Sequence, residues 1–88
     1  TWVAAHPRDA TAWQLLAQAH AAQGQPLRAV RAEAEARVAQ LDYAAALDRF
    51  KAAQDLARKG AGDHIEASIV DTRARQVESL LREQALER

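Results

Sequence analysis

Cysteine and methionine are both missing from this 88-residue chain. Without Cys there is no disulfide scaffold, no thiolate metal site and no Cys nucleophile. Met is missing even at position 1, so the expectation is a processed or excised piece of a longer chain. No apolar run approaches the ~18 residues that a membrane span needs, and no signal-peptide pattern opens the sequence. Neither sign of charge prevails: 12 Lys and Arg stand against 12 Asp and Glu, for a net charge of zero. That balance removes the electrostatic footprint of a nucleic-acid binder, and no local Lys/Arg cluster restores it. Gly and Pro are scarce, at 3 and 2. Alanine is abundant, at 23 of 88 residues, and favours packed helices over sheet.

The few breakers fall between segments of helical periodicity. His6-Pro7-Arg8-Asp9 is the first break, Gly24-Gln25-Pro26 the second, Leu41-Asp42 a weaker third, and Lys59-Gly60-Ala61-Gly62-Asp63 the fourth. Asp9 suits an N-cap for a helix running to about Gln23, and Gly24 the left-handed residue that ends it. Pro26 fits the first turn of a second helix. Asp42 caps a third, which Gly60 ends, and Asp63 with Glu66 gives a capping-box-like start to a fourth reaching about Glu87. The apolar stripes predicted are Trp13, Leu16, Ala17 and His20 on the first helix; Leu27, Val30, Ala34, Val38 and Leu41 on the second; and Tyr43, Ala46, Leu47, Phe50, Ala53 and Ala57 on the third. On the fourth, Ile65, Ile69, Thr72, Gln76, Val77, Leu80 and Leu81 form a thinner stripe, which predicts weaker docking from Val77 onward. Short connections imply antiparallel neighbours.

The second and third turns match at an offset of 17: the eight residues from Gln23 to Val30 align with those from Gln40 to Leu47, each with Gln first, a bulky or ring residue fourth, Ala seventh and a branched aliphatic last. Seventeen is half of 34, the tetratricopeptide period. From Pro7 to Ala36 the chain resembles a tetratricopeptide repeat. Trp13, Leu16 and His20 stand in the aromatic, leucine and tyrosine places of the first helix. Ala17 takes the small-residue place, Gly24 the turn glycine, and Ala29 and Ala36 the close-packing alanines. Glu33 departs from the pattern, where the family favours an aromatic residue. In the second half, Tyr43, Ala46 and Phe50 are the expected packing residues. The fold expected is all-α, an antiparallel helix-hairpin stack (a tetratricopeptide-like α-solenoid) ending in a long C-terminal helix. Residues 1–6 would be the remnant of a preceding helix, 7–60 degenerate repeat helices, and 61–88 the long last helix of the same domain. With Trp13 plugging the junction between hairpins, Trp13→Ala is expected to cost ~3–5 kcal/mol.

A longer resemblance runs from Asp9 to Leu81. The Trp-x-Leu-Leu-Ala-Gln-Ala opening at Trp13, Arg31-Ala32-Glu33 and the last helix with Asp71-Thr72-Arg73 are similar to the tetratricopeptide tail of periplasmic zinc metallopeptidases of the beta-barrel assembly-enhancing protease type. The resemblance implies a periplasmic location and a zinc-bearing catalytic domain elsewhere in a parent chain. It also implies docking on that protease domain and engagement of outer-membrane assembly machinery or its substrates.

Catalytic chemistry is not evident in the residues themselves. A zincin needs His-Glu-x-x-His on one helix. His6, His20 and His64 are followed by Pro7, Ala21 and Ile65, and no pair has ligand spacing. The expectation is no catalytic residue, no cofactor site and no metal site in this chain, and no bound zinc after dialysis. Ser68 and Ser79 both fall mid-helix and are not expected to act as nucleophiles. The i,i+4 pairs Glu33–Arg37, Arg31–Glu35, Asp55–Lys59, Asp71–Arg75 and Glu78–Arg82 read as a solvated face. Recognition surface remains: Thr11, Gln14, Gln18 and Ala21 are the candidates to face a peptide-binding groove, with neutral Gln where carboxylate-gripping repeats carry Lys and Asn. Three readings follow: the non-catalytic interaction tail of such a protease, a free-standing repeat scaffold or co-chaperone, or a structural segment that oligomerises through its last helix.

Overall fold

The computed structural model describes residues 9–87; the expected helix remnant at residues 1–6 lies outside them. The chain forms four helices, α1 (Ala10–Ala22), α2 (Pro26–Ala39), α3 (Tyr43–Arg58) and α4 (His64–Leu86), and no strand among the described residues. The architecture is the all-α stack of helix hairpins that the periodicity predicts.

Local chemistry sets the helix ends. Asp9, Asp42 and Asp63 each accept a hydrogen bond from a backbone N–H in the first turn, from Ala12, Ala45 and Glu66 at 3.1, 3.2 and 2.7 Å. Pro26 occupies the first turn of α2, where a missing N–H is harmless. Three helices end in the same motif. Gly24 N–H donates to Ala21 and Gln25 N–H to His20; Leu41 donates to Val38 and Asp42 to Arg37; Gly60 donates to Ala57 and Ala61 to Leu56. The pivot of each is left-handed, with φ of +72° at Gly24, +61° at Leu41 and +93° at Gly60. The 17-residue offset thus places a leucine in a backbone conformation that glycine adopts freely.

α2 is the central element. Its face carrying Leu27, Val30, Ala34 and Val38 packs with Ala46, Leu47, Phe50 and Ala53 of α3 and Val70, Ala74 and Val77 of α4. Ala29, Ala32 and Ala36, all buried, lie on the opposite side, toward α1 with its buried Ala12 and Ala17. Among the described residues α1 packs closely on α2 alone, whereas α4 packs mainly on α3 and touches α2. α2 and α4 run parallel: Gly62, just before α4, abuts Leu27 at the start of α2. At the other end Gln84 Nε2 donates to the Leu41 carbonyl just past α2. A Cβ at Gly62 would overlap the Leu27 side chain, so glycine is required there by space as well as by its φ of +71°.

Expectations for α4, Trp13 and Leu41 are corrected. The buried stripe of α4 is Glu66, Val70, Ala74 and Val77, with Leu81 packed beside it. Ile65 is 71% exposed, and Thr72 and Gln76 face solvent. Since Val77 is fully buried, the apolar seam of α4 extends past it to Leu81 and gives out only beyond, toward Leu86 at 85% exposure. Trp13 is half-buried rather than a plug, because α1 makes no close approach to α3 or α4 that would enclose its ring. Leu41, placed on the second apolar stripe, is 64% exposed: its left-handed backbone turns it out of the helical register.

Candidate protein-interaction cleft

Because α4 reaches α2 only sparsely and α1 lies on the other side of α2, a furrow opens along the remaining face of α2. It has a volume of about 550 Å³. Trp13 of α1 borders it on one side, Arg73 and Leu80 of α4 on the other, and Leu41 and Tyr43 at the α2–α3 turn. Arg31, Glu35, Val38 and Ala39 of α2 complete the lining. Arg31 and Glu35 are one turn apart on the side of α2 that faces neither α1 nor the apolar core.

An ionic network crosses this floor. Both Glu35 oxygens accept from Arg73, Oε2 from Nε at 2.9 Å and Oε1 from Nη2 at 2.8 Å. This is a bidentate pair in a residue only 7% exposed. Arg73 Nη1 also donates to Gln76 at 2.8 Å, and its guanidinium stands 5.9 Å from the centre of the Phe50 ring. Arg31 is held less tightly. Its nitrogens lie 3.7 Å from Glu35 and 3.8 Å from Glu66, beyond hydrogen-bonding distance, and its Nε is buried with no acceptor among the described residues. Its guanidinium stands 5.8 Å from the centre of the Trp13 ring. Toward the N-terminal end of α2, Arg28 reaches Glu66 at 3.9 Å and Asp63 at 4.0 Å. The Glu66 carboxylate, expected to help cap α4, is thereby drawn to α2.

Thr11, Gln14, Gln18 and Ala21 are all exposed on α1, on the side away from α2, and none borders the cleft. Of the residues singled out for packing, Ala17, Ala29, Ala36, Ala46 and Phe50 are buried. Trp13, Leu16, His20 and Tyr43 are half-buried, and Gly24 forms the first turn. Trp13 and Tyr43 come together at the cleft. His20 Nδ1 lies 2.9 Å from Gln25 Oε1, closing the α1–α2 turn.

Arg31–Glu35 is not the solvated pair its spacing suggests. Spacing alone missed Arg31, Glu35 and Arg73 as a group, yet a signal was present. α2 carries alanines on one side and large aliphatics on another, so it packs twice, and charges between the two seams are confined. Among the described residues no three His, Asp or Glu side chains converge as a metal site would require. No protein-family model matches this chain, and neither does any curated protein or solved structure.

Proposed function

We propose that the chain is a non-catalytic protein-interaction module of tetratricopeptide type that takes a segment of a partner protein into the cleft on α2. The observation that supports this most is the lining of the cleft. Two aromatic side chains, an aliphatic wall at Leu80 and a fixed Arg–Glu pair surround a furrow within the ~300–1,000 Å³ range of binding clefts. The partner follows from the sequence resemblance: an outer-membrane protein on its way to assembly, or the machinery that assembles it, met in the periplasm by the tail of a zinc metallopeptidase. Zinc and catalysis would then belong to another domain of the parent. A free-standing scaffold or co-chaperone would use the same cleft, and a His-Glu-x-x-His motif upstream in the parent gene separates the two.

The test is an NMR titration of the 88-residue chain with an unfolded outer-membrane barrel protein. Shift changes concentrated at Trp13, Arg31, Tyr43 and Leu80 are expected. Binding that perturbs only the outer side of α1, around Gln14 and Gln18, would move the site to the face first read from sequence. No binding would remove the assembly-related reading.

A second reading, self-association through α4, is favoured by Ile65 and Leu86, both exposed on its outer face. Sedimentation across a hundredfold range of concentration decides it, since a monomer throughout rules it out.

A further inference from the structure

Resting on the reading of the cleft as a partner site, we infer that its occupant is an acidic amphipathic peptide segment. One carboxylate of that segment would meet Arg31, and a neighbouring apolar side chain would lie between Trp13, Tyr43 and Leu80. The inference comes from how unevenly the two arginines of the cleft are satisfied. Arg73 holds both oxygens of Glu35 at 2.8 and 2.9 Å, so that carboxylate has its strongest contacts elsewhere. Arg31 forms only long ion pairs among the described residues, with Glu35 at 3.7 Å and Glu66 at 3.8 Å, and its buried Nε has no acceptor among them. A guanidinium presents five donors in a planar fork, and for Arg31 none is matched at hydrogen-bonding distance by a carboxylate among the described residues.

The charge on the cleft lining points the same way. Among the residues that line the cleft, Arg31 and Arg73 stand against Glu35 alone; Glu66, outside the lining, is divided between Arg31 at 3.8 Å and Arg28 at 3.9 Å and offsets Arg31 only in part. An incoming carboxylate therefore completes a set of pairs. An incoming Lys or Arg would meet an acid already engaged. Trp13 lies against the same guanidinium, so the apolar and charged contacts are adjacent and suit residues a few positions apart on one segment. Charge pairing of this kind at a half-open site weakens as salt is added.

The probe is a phage-displayed library of random 12-residue peptides selected on the 88-residue chain at low salt, the enriched peptides then being synthesised. We expect Asp or Glu within four positions of an aromatic or large aliphatic residue. Binding should fall about tenfold or more when that acid is changed to its amide in the peptide, with the protein untouched. Arg31→Gln should give a similar loss at unchanged helix content, Arg31→Lys a smaller one, and Leu80→Arg should abolish binding. Raising salt from 50 to 500 mM should weaken it. Peptides that lack an acid, bind Arg31→Gln undiminished and still need Leu80 would overturn the acidic occupant while leaving the cleft as the partner site. Failure to enrich any peptide, or binding indifferent to Leu80→Arg, would sink both. A dimer in sedimentation that Leu80→Arg dissolves would show a second copy of this chain in the cleft and overturn the proposal in another way.

Discussion

The two sides of α2 are packed by different means. Toward α3 and α4 it faces large side chains, and Phe50, Leu27, Val70 and Val77 are the largest that are fully buried. Toward α1 it offers Ala29, Ala32 and Ala36 to Ala12 and Ala17, with Trp13 and Leu16 only half-covered. Alanine seams let helix axes approach closely but remove little area from water, whereas each large buried side chain contributes ~1.5–3 kcal/mol. The consequence is a firm three-helix body, α2–α3–α4, with α1 laid against it as a lightly held wall of the cleft. A wall of that kind can adjust to an occupant without unfolding the rest.

Phe50→Ala tests the firm side most severely. Its ring is fully buried and lies under the Arg73 guanidinium, so truncation opens a cavity at the junction of all three helices. A loss of ~3–5 kcal/mol in urea unfolding is expected, enough to unfold much of a domain of this size. A loss below ~1 kcal/mol would mean the core is not where the packing puts it.

Trp13→Ala should cost much less, ~1–2 kcal/mol, from partial burial plus the stacked guanidinium. The revealing measurement is hydrogen exchange. Amides of α1 should exchange faster than those of α3 in the unmodified protein, and the variant should widen that gap without touching α3. Equal protection in α1 and α3 would erase the distinction between the two sides.

That distinction was partly legible in the sequence. Asp9, Asp42 and Asp63 announced three helix starts because a short acidic side chain before a periodic run has one good use, and the α3 stripe from Tyr43 to Ala57 matches the core it joins. Periodicity misled on α4, where Ile65, Ile69, Thr72 and Gln76 repeat at heptad spacing yet lie off the buried face. The side that packs is chosen instead by small residues and by ion pairs to α2, through Ala74, Glu66 and Arg73. The cleft was hidden for the same reason. It is built by residues 38 positions apart, Glu35 and Arg73, and no local spacing encodes such a meeting.

The turns on either side of α2 extend the comparison to the backbone. Gly24 and Leu41 hold equivalent left-handed positions, and only one is glycine. Leu41→Gly should stabilise the fold by ~0.5–1 kcal/mol, relieving a conformation that disfavours a Cβ by ~1–2 kcal/mol while giving up a mostly exposed side chain. Gly24→Ala should destabilise by ~1 kcal/mol through the backbone alone, since nothing lies within 4 Å of the added Cβ. If Leu41→Gly instead destabilises, the exposed leucine is held by the cleft and helps to build it.

The smallest effect expected belongs to the ion pairs of the outer surface, where the contrast with the network under the cleft is sharpest. Asp55 accepts from Lys59 Nζ at 2.9 Å and from Arg58 Nη2 at 3.1 Å at the end of α3. The Lys59 contact first, then Arg58, holds its carboxyl below the ordinary value of 3.8. A carboxyl depressed on folding adds stability that is present above its unfolded pKa and is lost as pH falls through the folded one. In a carboxyl NMR titration, Lys59→Gln should move the Asp55 midpoint back upward more than Arg58→Gln does. Half-molar salt should have the same direction of effect on the unmodified protein, because water surrounds the pair. Melting at neutral pH should scarcely change in either variant. By contrast, Arg73→Gln would leave Glu35 charged and buried beneath the cleft, where removing one partner destabilises far more than an exposed pair ever contributes. A Lys59→Gln loss as large as that of Arg73→Gln would mean that burial, and not merely charge, reaches the end of α3.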